Sequence, residues 1–245
     1  MDSKVTILSL QGMQVSGTLR TTTGADALVI FVHGFLSHQN EHIFFNGSKH
    51  LSLYGYDSFR FDLYDTRGSQ RRLEQATMQH RADILTAIIA HYKPHYRQIH
   101  LIGHSLGCPQ ILLSDVSGVS SLTFWEPSVE PSDLLVGMAS SLGEIVALTT
   151  SRYTVLVSAR LIDEALALPT IKCLLGELRL PVKIIGAGRA GWRIGREVYF
   201  RNANSPKEIA IISHAGHNFD EDGAEEALFI ETVKWLRACL KSEFG

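Results

Sequence analysis

The sequence predicts an α/β protein: a mostly parallel sheet flanked by helices. Three observations carry the prediction. From residue 27 onward, short apolar or β-branched runs alternate with longer stretches of helical spacing. Those runs are uniformly apolar, as in a sheet covered on both faces. Strand–helix alternation, in turn, implies parallel pairing through right-handed crossovers.

The elements follow in order. Lys4–Leu10 and Gln14–Arg20 lie close together and alternate in polarity, so they read as an antiparallel edge pair. Ala27–Val32 and Asp57–Phe61 read as buried strands. Ala82, Leu85, Ile88 and Ile89 make an apolar stripe at helical spacing that stops before Pro94. Strand Gln98–Ile102 comes next, then a helix from about Leu106, then strand Ser120–Trp125. Residues 131–180 break the rhythm. They hold short helical stretches such as Leu161–Leu168 and are expected to form a helical cap folded over the carboxyl edge of the sheet. Residues 1–130 and 181–245 would then form the core. Strands Val182–Ala187 and Glu208–Ile212 complete the sheet. Ala227, Ile230, Val233, Trp235, Leu236 and Leu240 mark a last amphipathic helix.

Composition narrows the function. Of 245 residues, 45% are hydrophobic and 20% charged, enough to bury a substantial core. A formal net charge of −2 argues against nucleic acid or an anionic membrane as the main partner. Cys108, Cys173 and Cys239 are too scattered for a disulfide framework or a zinc site and suit a reducing compartment. The start MDSKVTILSL lacks the pattern of a signal peptide, and no stretch is long enough to span a bilayer. The expectation is a soluble cytoplasmic protein without stable membrane insertion, its oligomeric state left open.

The chemistry concentrates in LIGHSLGC, residues 101–108. A strand runs into Gly103-His104-Ser105-Leu106-Gly107 and a helix follows. That is the strand–turn–helix setting of a nucleophile elbow. A sharp turn presents the Ser105 hydroxyl, glycines on either side avoid collisions, and the Leu106 amide at the helix start can donate to an oxyanion. A G-x-S-x-G also arises by chance, so other parts are needed.

With these residues, and with ALVIFVHGF ending in His33-Gly34-Phe35, the chain resembles the α/β-hydrolase-fold serine hydrolases (esterases and lipases) over nearly its full length. The resemblance implies a second oxyanion donor in the Phe35 amide, with His33 a structural hydrogen-bonder. It implies a base in a loop before the last helix. His217, in Ala-Gly-His-Asn-Phe, fits that place better than His214, which lies nearer the strand.

The family's acid commonly follows the strand here read as Val182–Ala187, but IIGAGRAGW holds no Asp or Glu. A second position in the fold, seen in pancreatic-type lipases as acid-Pro-small after the preceding strand, matches Glu126-Pro127-Ser128. A carboxylate at the end of a central strand is costly unless partnered, and an imidazole would be a partner. The resemblance therefore makes Glu126 the acid, with Glu130 and Asp133 as runners-up. A glutamate that merely caps the insertion is the plain alternative.

Other signals weigh less. GAGRAG (186–191) matches the dinucleotide fingerprint, but the acid expected about 20 residues on is absent. His38 and His42 at i, i+4 lack a third metal ligand. Asp62, Asp65 and Arg67 read as structural. Arg152, Arg160 and Arg189 read equally as solvated or substrate-facing, and Cys108 as packed behind the serine. The expected activity is cleavage of a small-molecule carboxylic ester through an acyl-enzyme, with no cofactor and no metal. Phe35, Trp125 and the insertion would shape the pockets for an uncharged acyl chain. Thioester or amide cleavage, acyl transfer, and an inactive binding protein stay open.

Overall fold

The computed structural model describes residues 1–64, 72–128, 139–149, 154–190 and 193–241. Eight strands form the central sheet: β1 (Asp2–Leu8), β2 (Gln14–Arg20), β3 (Ala27–Val32), β4 (Asp57–Phe61), β5 (Gln98–His104), β6 (Ser121–Trp125), β10 (Val182–Ala187) and β11 (Lys207–Ile212). Their spatial order is β1-β2-β4-β3-β5-β6-β10-β11. β1 pairs antiparallel with β2, and β2 with β4; every later pair is parallel.

Strand periodicity builds the layers. Along β3, Leu28, Ile30 and Val32 face one cluster, while Ala27, Val29 and Phe31 face another. The first cluster is closed by α2 (Met78–Tyr92), α3 (Gly107–Leu112), α5 (Ile171–Gly176) and α6 (Arg193–Asn202). The second is closed by α1 (His42–Ser52) and α7 (Ala224–Lys241). Both faces of the sheet are therefore covered, which is why its central strands read as continuous apolar runs. No described helix is long and apolar enough to cross a membrane.

The segment expected as a helical cap is only partly helical. β7 (Ala139–Leu142), β8 (Ile145–Thr149) and β9 (Thr154–Ser158) form a three-stranded antiparallel sheet, and α4 (Ala159–Leu166) follows. β8 alternates in burial along its length, the signature of a strand with one covered face. Val146, Leu148, Val157, Leu161 and Ala165 pack with Met78 and Leu106 in a third cluster, which Phe35 joins from its edge. This small sheet thus rests on the turn that follows β5. α5 differs: Ile171 and Leu175 belong to the main core.

Candidate active site

The elbow forms as its residues require. Ser105 has φ of 54°, a left-handed conformation uncommon for a side-chain-bearing residue. Its amide donates to the Trp125 carbonyl at 3.1 Å, and its carbonyl accepts from the Cys108 amide at 3.1 Å. A Cβ on Gly107 would lie 2.1 Å from the Val32 carbonyl oxygen, and one on Gly103 would lie 3.0 Å from the Cys108 backbone. Glycine at these positions lets α3 tuck against β3 and β5. A Cβ on Gly34 would stand 3.1 Å from Ser105 Cβ, so the turn after β3 packs directly beside Ser105.

His33 is fully engaged in that turn. Its Nδ1 donates to the Gly34 carbonyl at 2.8 Å, and its Nε2 accepts from the Leu63 amide at 3.0 Å. Burial and the nearby Arg81 charge push it down to about 3, so it stays neutral. Asp62 is structural as well, accepting from the amide and side chain of Gln39.

His217 reaches the same place from the loop after β11. The loop is pinned by the Gly216 amide, which donates to Glu221 Oε2 at 2.7 Å. It is also held by His104, whose Nε2 donates to the His217 carbonyl at 2.9 Å. The two rings lie 4.9 Å apart. Burial lowers the pKa of His217. Burial, reinforced by the neighbouring His217, pushes His104 down to about 3. A cavity of about 250 Å³ is lined by Ser105, His104, His217, Asn218, Phe35 and residues of the α1 N-terminus. His214 is exposed and stands outside this lining.

Glu126 follows β6 with φ of 39° and is completely buried. Its Oε2 accepts from the Ala187 amide at 2.6 Å and lies 3.8 Å from Arg196 Nη1. Its Oε1 is buried without a hydrogen bond among the described residues. Burial raises the Glu126 pKa; the Ala187 amide and Arg196 pull it back. None of the described hydrogen bonds joins Glu126 to His217. Glu130, Asp133, Asp65, Arg67 and Arg152 fall outside the described residues.

Trp125 departs from its expected role. Its indole is fully buried, stacks on Phe44 and donates from Nε1 to Thr232 Oγ1 at 3.0 Å. It packs in the α1/α7 cluster and is not among the residues that line the cavity.

The GAGRAG glycines have packing reasons. A Cβ on Gly186 would fall 1.9 Å from Arg196 Cδ, and one on Gly188 would fall 2.4 Å from the Ser213 carbonyl oxygen. Gly186 admits the arginine that meets Glu126, while Gly188 lets the loops after β10 and β11 touch.

Three further side chains lie at or beside these residues. Ser128 Oγ lies 3.3 Å from Ser105 Oγ. Arg196 holds the Ala187 carbonyl at 2.6 Å beside Glu126. His42, read only against a metal pattern, lines the cavity and pairs with Glu225. Only the first had a local signal, a hydroxyl two residues after Glu126.

Known proteins agree with this architecture. A family model described as alpha/beta hydrolase fold matches residues 27–135. Est1E from Butyrivibrio proteoclasticus superposes with a TM-score of 0.81 at 14% identity, covering 97% of this chain and 99% of that one. A dienelactone hydrolase from Anabaena variabilis gives 0.71 at 17% identity, with 97% of each chain covered. A thermophilic esterase from Thermogutta terrifontis gives 0.70 at 17% identity, covering 97% of this chain and 99% of that one. No curated protein matches the chain in sequence. The chain has the α/β-hydrolase fold.

Proposed function

We propose that this α/β-hydrolase-fold chain is a serine hydrolase that cleaves a carboxylic ester through an acyl-enzyme on Ser105. One observation carries the reading: a left-handed Ser105 between β5 and α3 shares a cavity with His217 from the loop after β11. Active sites of open α/β sheets lie at the carboxyl ends of the strands, where both residues are. Hydrolase and esterase neighbours support the same class.

In this reading His217 takes the Ser105 proton as Oγ bonds to the ester carbonyl carbon. The carbonyl electron pair moves to oxygen, where the Phe35 and Leu106 amides hold it. Each such donor commonly contributes about 3–4 kcal/mol. The C–O bond then breaks, and His217 returns its proton to the leaving alcohol. Water repeats the sequence on the acyl-enzyme, releasing acid and free serine. Glu126 is the acid that orients His217. Its support is the buried Oε1 without a described partner, set beside the end of β10, one strand from β11. The depressed pKa of His217 keeps its imidazole neutral, as a base must be.

Labelling with a fluorophosphonate, followed by identification of the modified peptide, tests the reading. Label on Ser105, lost in Ser105→Ala together with ester hydrolysis, is the expected result. Esters, thioesters and amides of one acid then rank the bond cleaved. A catalytically silent binding protein is the second reading, favoured because the described bonds of Glu126 go to Ala187 and Arg196. It requires an unlabelled Ser105.

A further inference from the structure

The cavity at Ser105 has a second imidazole–carboxylate couple that the proposed mechanism does not use. His42 opens α1, and Glu225 lies in the first turn of α7. His42 Nδ1 meets Glu225 Oε1 at 2.5 Å, and Asn46 Nδ2 donates to Glu225 Oε2 at 2.9 Å. Both carboxylate oxygens are thus committed, and the ring is held from two helices. An ionised carboxylate only accepts, so the proton of a neutral His42 sits on Nδ1. What the ring then offers elsewhere is the lone pair on Nε2, which makes no hydrogen bond among the described residues. The ring lines the same cavity as Ser105, His217 and Asn218.

The rest of that wall is polar as well: Ser37, Glu41 and Asn218 line it beside His42. The volume of about 250 Å³ falls below the ~300–1,000 Å³ usual for clefts that enclose drug-sized ligands. A small, polar-walled space suits a compact group that makes hydrogen bonds and is poor for a long hydrocarbon chain. His217 stands in this wall and must protonate the leaving oxygen, so the group attached to that oxygen occupies the cavity.

From this we infer that His42, fixed by Glu225, selects esters whose alcohol portion carries free hydroxyl groups. The inference rests on the serine-hydrolase reading and names the substrate class for that site. It assigns Nε2 of His42 as the acceptor for a substrate hydroxyl.

The test compares two butanoate esters of equal shape. One has a 2,3-dihydroxypropyl alcohol; the other has 2-methylbutyl, in which methyl groups replace both hydroxyls. The wild-type protein is expected to favour the dihydroxypropyl ester by about tenfold in kcat/KM, the worth of one good hydrogen bond. In His42→Phe the ratio falls to about one, with the melting temperature recorded to establish folding. Equal rates in the wild type, or a preference that survives His42→Phe, overturn the inference. So does a choline ester that outruns both, since the wall would then read positive charge. If neither ester is cleaved and Ser105 takes no phosphonate label, the serine-hydrolase reading fails and this inference falls with it. If both are cleaved equally, the inference alone falls.

Discussion

The carboxyl ends of β6 and β10 are neighbours in the sheet and treat charge in opposite ways. β6 ends in a carboxylate, at Glu126. β10 ends in two glycines around Ala187 and carries no acid through Ala190. The two ends nevertheless build one structure. The Glu126 amide donates to the Ile185 carbonyl at 2.8 Å and so extends the parallel ladder. The next donor, the Ala187 amide, turns to Glu126 Oε2 where a regular ladder would give it a backbone carbonyl. The side chain of one strand thus delivers its charge to the end of the next. Where the carboxylate comes to rest matters more than which strand bears it. The space beside β10 is filled by Arg196, and Gly186 is small because that arginine crosses it.

Removing the charge breaks the contrast most severely. Glu126→Gln keeps the volume and the Ala187 acceptor but ends the ionic character of the site. If Glu126 orients His217, kcat on the preferred ester falls by roughly 10⁴, as when a triad acid is replaced by its amide. Near-full activity in this variant would move the acid assignment to Glu130 or Asp133.

Crowding the other end has a smaller effect. A methyl at Gly188 meets backbone at Ser213, and one at Gly186 meets the anchored stem of Arg196. Either alanine variant should lose about 1–3 kcal/mol of stability, measured by denaturant unfolding. Gly188→Ala should also lower kcat by roughly tenfold, since the Ser213 end of the loop leads to His217 and misplacing a reacting group is costly. Wild-type stability in both variants would show that β10 tolerates side chains and that its glycines need another explanation.

The same contrast marks what a sequence can and cannot show. Gln14–Arg20, Ala27–Val32, Asp57–Phe61 and Val182–Ala187 are strands over the residues their apolar or alternating runs indicate. β5 runs on through Gly103 and His104, beyond the apolar run, because the strand feeds straight into the elbow. β8 and β9 are legible in retrospect: IVALT and TVLVS are rich in β-branched residues, but helical stretches nearby set the expectation. Ser105 is accessible as a candidate through its local motif, His217 only through the family resemblance. The Arg196–Glu126 approach and the His42–Glu225 pair join residues far apart in the chain, and no local pattern encodes them. Trp125 is apolar and ends a central strand, which suggests a pocket wall, but its side chain packs into the core beneath α1 and α7.

The finest probe of the comparison is Arg196 itself, read through pH. Activity in the proposed mechanism needs Glu126 ionised and His217 neutral. Burial raises the Glu126 pKa, and the Ala187 amide and Arg196 oppose that rise. Burial lowers the pKa of His217, so the imidazole remains neutral to a pH below its ordinary 6.5. Arg196→Met removes the cation and leaves burial less opposed. The Glu126 pKa climbs, the ionised fraction at any acidic pH shrinks, and the acid limb of kcat moves to higher pH. Arg196→Lys keeps the charge and should hold the limb nearer its wild-type position, although the hydrogen bond to the Ala187 carbonyl is weakened. A purely packing role for Arg196 predicts the reverse pattern: both variants lose stability, and neither moves the limb. A full pH profile of kcat for the two variants, taken with their melting temperatures, separates the alternatives. It shows whether the end of β10 contributes charge to the site or only the space that Arg196 fills.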